Sequence, residues 1–160
     1  MRPRSPYTIR VGGSVRKTAF VIEPQELFVD RLRQVLERAG LDVVGVSIDI
    51  DLRAIVGTEP NVVFIDTDFL GDDPRDAVLA VNGVAQGAAI CVYTQSRGSD
   101  VGRACVAAGA RCVLSKEATE DEILAALESV LVDGVYADPR VDDGASEEPA
   151  DPSLIRRRAG

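Results

Sequence analysis

From Thr18 onward the chain alternates short β-branched runs with longer amphipathic segments. The runs are Ala19–Ile22, Val43–Ser47, Val62–Ile65, Ala89–Tyr93 and Arg111–Leu114, each the length of a buried strand. A first helix is predicted from Gln25 to Ala39, with Leu27, Phe28, Leu32, Val35 and Leu36 on its buried face and Gly40 closing it. Shorter helices fit Asp51–Val56, Pro74–Val81 and Asp100–Ala108, with Pro74 at a first helical position and Gly109 ending the last of the three. The final helix carries the fullest signals. Thr119 caps it, Glu122 completes a capping box, and Ile123, Leu124, Leu127, Val130 and Leu131 form its apolar stripe.

Five strands alternating with five helices imply right-handed βαβ units and a parallel sheet. The expected architecture is an α/β three-layer sandwich of flavodoxin-like type, with strand order 2-1-3-4-5. Reacting groups in such sheets lie at the carboxyl ends of the strands, near the switch in strand order. The core domain is expected to span 17–136. Before it, residues 1–16 hold two prolines, Gly12-Gly13 and scattered arginines, and read as a flexible basic arm. After it, residues 137–160 read as a disordered acidic tail ending in Arg156, Arg157 and Arg158, too short for a helix-turn-helix module.

Composition narrows the function. A chain of 160 residues suits one domain. Aromatics are only 4% and tryptophan is absent, so Val, Ile, Leu and Ala must fill the core, as in a parallel sheet covered on both faces. The net charge of −8 argues against nucleic acid and anionic membrane and points to protein partners. With no histidine, the chain lacks histidine catalysis, most zinc sites and any histidine phosphodonor. Cys91, Cys105 and Cys112 are odd in number and form no C-x-x-C pair, so they are expected as small buried side chains. The opening residues lack the apolar region of a signal peptide and no apolar run reaches membrane-spanning length, so a cytoplasmic location is expected.

The candidate chemistry sits directly after the strands. Glu23-Pro24 follows the first run, and the third ends in Asp66, followed by Thr67, Asp68 and Gly71. The fourth ends in Thr94, and Ser115-Lys116 follows the fifth. Singly, Glu23 reads equally as a solvated loop acid, Asp66 as a turn residue and Thr94 as a strand-end β-former. Together they bring two acids, a hydroxyl and a lysine to one sheet edge. That set suits phosphoryl chemistry: a carboxylate to accept the group, an acid to hold Mg²⁺, and Lys and Thr for the phosphoryl oxygens.

These residues carry a family resemblance. The stretch from Thr18 to about Tyr136 resembles a receiver domain of two-component response regulators. Ile90–Ala126, with Gly109, Ala110, Lys116 and then a capped helix, is most similar to receivers linked to helix-turn-helix outputs. The resemblance implies that Asp66 is the phosphoacceptor, Thr94 the switch hydroxyl and Lys116 the residue contacting the phosphoryl group. It implies Mg²⁺ held by Glu23, Asp66 and the main-chain carbonyl of Asp68. The implied partners are a histidine kinase or phosphotransfer protein, a downstream protein target and a second copy of the chain. No turnover is expected beyond self-phosphorylation and self-dephosphorylation.

The pattern departs from the family at Pro24, where receivers carry a second acid that binds Mg²⁺ directly. Asp68 compensates only if its side chain turns inward. Val113 stands where an aromatic switch residue is common, and Glu117 where proline often follows the lysine. The departures leave two rivals open: a pseudo-receiver that acts by binding without phosphorylation, and a flavodoxin-like nucleotide- or cofactor-binding protein. Against the latter, Glu23-Pro24-Gln25-Glu26 replaces a Gly-rich turn and repels phosphate.

Overall fold

The computed structural model describes residues 10–11, 14–69, 73–97, 100–132 and 134–146. The strands β3 (Lys17–Ile22), β4 (Leu41–Ser47), β5 (Val62–Asp66), β6 (Ala89–Thr94) and β7 (Cys112–Ser115) coincide with the five β-branched runs. Helices α1 (Glu26–Arg38), α2 (Leu52–Thr58), α3 (Pro74–Val84), α4 (Val101–Ala107) and α5 (Glu120–Leu131) follow them in turn. The sheet is parallel, in the order β4-β3-β5-β6-β7-β8, where β8 is Tyr136–Ala137. Order is as expected for the first five members, with one short strand added at the edge.

Strands β3, β5, β6 and β7 are buried on both faces, and successive side chains serve opposite layers. Ala19, Val21, Val62 and Phe64 pack under Leu32, Val35 and Leu36 of α1 and Ile123, Leu127 and Val130 of α5. Phe20, Ile22, Val63 and Ile65 pack on the other side with Ile55 of α2, Val78 and Val81 of α3, and Cys105 of α4. At Gly45 a bulge in the β3–β4 pairing brings the backbone against the Phe20 ring, where a Cβ would collide with the ring edge. Gly40 and Gly109 end their helices with φ of 82° and 117°, a region open to glycine. The three cysteines are free and buried. Among the described residues no helix is long and apolar enough to cross a membrane.

Three expectations are corrected. Leu27 is 77% exposed instead of buried. It stands five residues before Leu32, a rotation of about 140° on a helix of 3.6 residues per turn, so it faces away from the stripe. The ordered chain also continues past the expected boundary at 136. After β8 comes α6 (Pro139–Ser146), with Val141 fully buried against β7 and α4 and Asp138 buried beside it. Polar composition hid this segment, because one valine and one ion pair anchor it. Within the expected basic arm, β1 (Arg10–Val11) and β2 (Ser14–Val15) form an antiparallel pair. Residues 1–9, Gly12-Gly13, Gly71 and the Arg156–Arg158 run lie outside the described residues.

Candidate functional site

Four strand ends converge at the carboxyl edge of the sheet. Glu23 directly follows β3, Asp66 closes β5, Thr94 closes β6 and Lys116 directly follows β7. Lys116 is set by the continuing ladder, since its N–H donates to the Thr94 carbonyl at 2.8 Å. On its other side the Arg31 guanidinium donates to the Lys116 carbonyl at 3.1 Å and to that of Ala118.

The Lys116 ammonium is the hub. It lies 2.9 Å from Asp66 Oδ2, 3.1 Å from Asp68 Oδ2 and 3.7 Å from Glu23 Oε2. The rings of Phe28, Phe69 and Tyr93 stand 4.6, 5.2 and 5.8 Å from it, centroid to nitrogen, and their faces favour a cation. Burial alone would lower the lysine pKa; the close carboxylates of Asp66 and Asp68, with the charge of Glu23, outweigh this and hold it above its ordinary value. Lys116 is a fixed cation here.

Each carboxylate has its own holder. Asp66 Oδ1 accepts the Asp68 N–H at 2.9 Å, and Glu23 Oε1 accepts the Gln25 N–H at the start of α1 at 3.1 Å. Asp68 turns its side chain inward, the geometry under which it could compensate for Pro24. Its Oδ1 accepts the Thr94 hydroxyl at 2.6 Å and its Oδ2 the Gln95 N–H at 2.8 Å. Burial, with the neighbouring Asp66 carboxyl, pushes the Glu23 carboxyl from 4.5 up to about 7.

The sequence-assigned set of Glu23, Asp66, Asp68, Thr94 and Lys116 is therefore brought together, with Asp68 contributing its side chain. Pattern reasoning missed Arg31, Phe28 as a ring over the ammonium, and Phe69. A signal existed for Arg31: it falls three residues after Phe28 and four before Val35, a charged residue on the apolar stripe of α1.

The acidic set does not fit a divalent cation as it stands. Glu23 Oε2 and Asp66 Oδ2 are buried without a conventional hydrogen bond, yet both already face the Lys116 ammonium. Pro24 offers no ligand, and among the described residues no three acidic, cysteine or histidine groups are arranged to hold a metal. One cleft of about 580 Å³, lined by Ile55, Glu59, Asn61 and Gln86, opens at the opposite end of the strands.

The sequence matches no protein-family model and no curated protein. The fold does have solved counterparts. A LuxR-family two-component response regulator from Aurantimonas sp. SI85-9A1 aligns with a TM-score of 0.73 at 22% identity, over 85% of this chain and 99% of that one. The signal receiver domain of a DNA-binding response regulator from Colwellia psychrerythraea 34H aligns at 0.64 and 17%, over 72% and 98%. A response regulator from Thermotoga maritima gives 0.64 and 18%, over 73% and 98%. The fold is that of response-regulator receiver domains.

Proposed function

We propose that this chain is a signalling module of receiver type that acts through contacts with other proteins, its acidic site closed by Lys116 in place of a divalent cation. The observation carrying this reading is the ammonium 2.9 Å from Asp66 and 3.1 Å from Asp68, with the lysine side chain 2% exposed. A dication entering here would have to displace a buried, paired charge, a costly exchange in a poorly solvated site. The module performs no turnover; its output is a surface offered to a downstream protein, within the cytoplasm.

A second reading is favoured by the convergence of Asp66, Thr94 and Lys116 at one edge. In it a histidine kinase or phosphotransfer protein presents a phosphohistidine. The Asp66 carboxylate attacks phosphorus, the phosphorus–nitrogen bond breaks, and Lys116 neutralises the new phosphoryl oxygens. The Lys116–Asp66 contact and the Thr94–Asp68 hydrogen bond must open first. The flavodoxin-like cofactor reading finds no support at this edge, where the Glu23 carboxyl already takes the Gln25 N–H at the start of α1.

Intact mass after incubation with Mg²⁺ and a small-molecule phosphodonor separates the two, beside an Asp66→Ala control. No gain in folded protein supports the lysine-closed module. A gain of one phosphoryl group that Asp66→Ala abolishes supports the second reading.

A further inference from the structure

Beyond β7 the chain makes an arrangement that edge pairing alone does not require. Strand β8 extends the ladder in parallel register, with the Tyr136 N–H on the Arg111 carbonyl at 2.8 Å and the Asp138 N–H on that of Val113 at 2.9 Å. At the next position a side chain takes over: Asp138 Oδ2 accepts the N–H of Ser115, the residue before Lys116, at 3.0 Å. Asp138 Oδ1 accepts both the Arg140 N–H at 3.0 Å and its Nε–H at 2.9 Å. The same guanidinium donates to the carbonyl of Glu117, the residue after Lys116, at 3.4 Å. It also pairs with Glu122, which closes the capping box of α5 through the Thr119 N–H.

We infer that the segment from Tyr136 to Asp142 is a clamp on the loop that carries Lys116, with Asp138 and Arg140 as positioning residues for that lysine. Both backbone neighbours of Lys116 are held from this side, and Arg31 holds Lys116 and Ala118 from the other. The clamp is seated in the fold. Val141 is fully buried among Val113 and Cys105, and α6 lies so close to α4 that a Cβ at Gly102 would fall 2.6 Å from Asp142 Oδ2. Burial alone would raise the Asp138 pKa, and the hydrogen bonds from Arg140 and Ser115 outweigh it, so the acid stays charged and keeps its grip. A half-buried ion pair such as Asp138–Arg140 is a poor way to stabilise an edge, where apolar packing serves as well. Its value here is directional: it fixes the residues on each side of Lys116. The clamp also covers the α4–β7 flank with the chain's own helix, so a second copy docking there must first lift it. The inference stands on this geometry and is independent of whether Asp66 takes a phosphoryl group.

Hydrogen exchange resolved by residue on the full chain tests it, comparing the parent with Arg140→Ala and, as a surface ion-pair control, Arg103→Ala. The amides of Ser115, Lys116, Glu117 and Ala118, and that of Gln95 on Asp68, are expected to exchange at least about tenfold faster in Arg140→Ala. That factor corresponds to ~1.4 kcal/mol, within the range of one hydrogen bond to a charged group. Arg103→Ala leaves these amides unchanged. Acceleration confined to residues 134–146 overturns the inference, since the segment would then be packed without setting the loop. Should Arg140→Ala lose protection throughout β3 and β5, Asp138→Asn is read by the same two outcomes.

Discussion

The Lys116 ammonium and the Asp66 carboxylate meet at 2.9 Å with the two side chains 2% and 0% exposed. Removing the lysine leaves Glu23 and Asp66 buried, with Asp68 beside them, around no cation. Lys116→Met is expected to lower unfolding free energy by about 3–5 kcal/mol, the usual result of breaking a buried pair by one partner. Adding Asp66→Asn should recover part of the loss. Urea unfolding checks both, and a loss below ~1 kcal/mol in the single variant would mean that the lysine does not hold the cluster.

Glu23 makes stability pH-dependent in a direction opposite to most acids. Its folded pKa of about 7 lies above the 4.5 of a free glutamate. Between those values the folded state keeps a proton that the unfolded chain has released, so unfolding free energy falls as pH rises through this window and levels above it. Glu23→Gln removes this contribution. Its stability between pH 5 and pH 7 should decline less than the parent's, as followed by chemical unfolding at each pH.

Pro24 is the position where one carboxylate changes the metal question. The parent should show no rise in melting temperature on adding millimolar Mg²⁺. Pro24→Asp supplies a ligand beside Glu23 and should melt several degrees higher with Mg²⁺ than without, because a ligand bound only to the folded state stabilises it. An equal Mg²⁺ response in both proteins would show that the parent already binds the ion.

At the β3–β4 bulge, Gly45→Ala places a methyl group against the Phe20 ring. Both strands are fixed by pairing, so the ring must give way. Thermal unfolding should show a loss of about 1–3 kcal/mol, the range for overpacked cores. A neutral result would mean that the bulge relaxes freely.

The parts of the fold legible in the sequence were those written by repetition. The Val/Ile runs marked strands β3 to β7, and Thr119 with Glu122 marked the cap of α5, where both reciprocal hydrogen bonds form. The site was legible as strand-end residues, because topology alone carries Glu23, Asp66, Thr94 and Lys116 to one edge. Its wiring was not. Asp68 turning its side chain onto Thr94 and Gln95 depends on loop geometry, and Arg31 reaching the Lys116 carbonyl depends on how α1 packs against α5. The stretch after Tyr136 reads as solvated from composition, yet Asp138 and Val141 are buried by contacts with residues 23 or more positions away. Long-range pairing of single polar residues leaves no periodic trace.

The central claim, a receiver fold whose acidic site is closed by its own lysine, is tested most directly by intact mass spectrometry with Mg²⁺ and a small-molecule phosphodonor. The expected result is an unchanged mass for the parent, folded by circular dichroism, and for Asp66→Ala alike. A gain of one phosphoryl group in the parent that disappears in Asp66→Ala would contradict it, showing that Lys116 yields Asp66 to phosphoryl transfer.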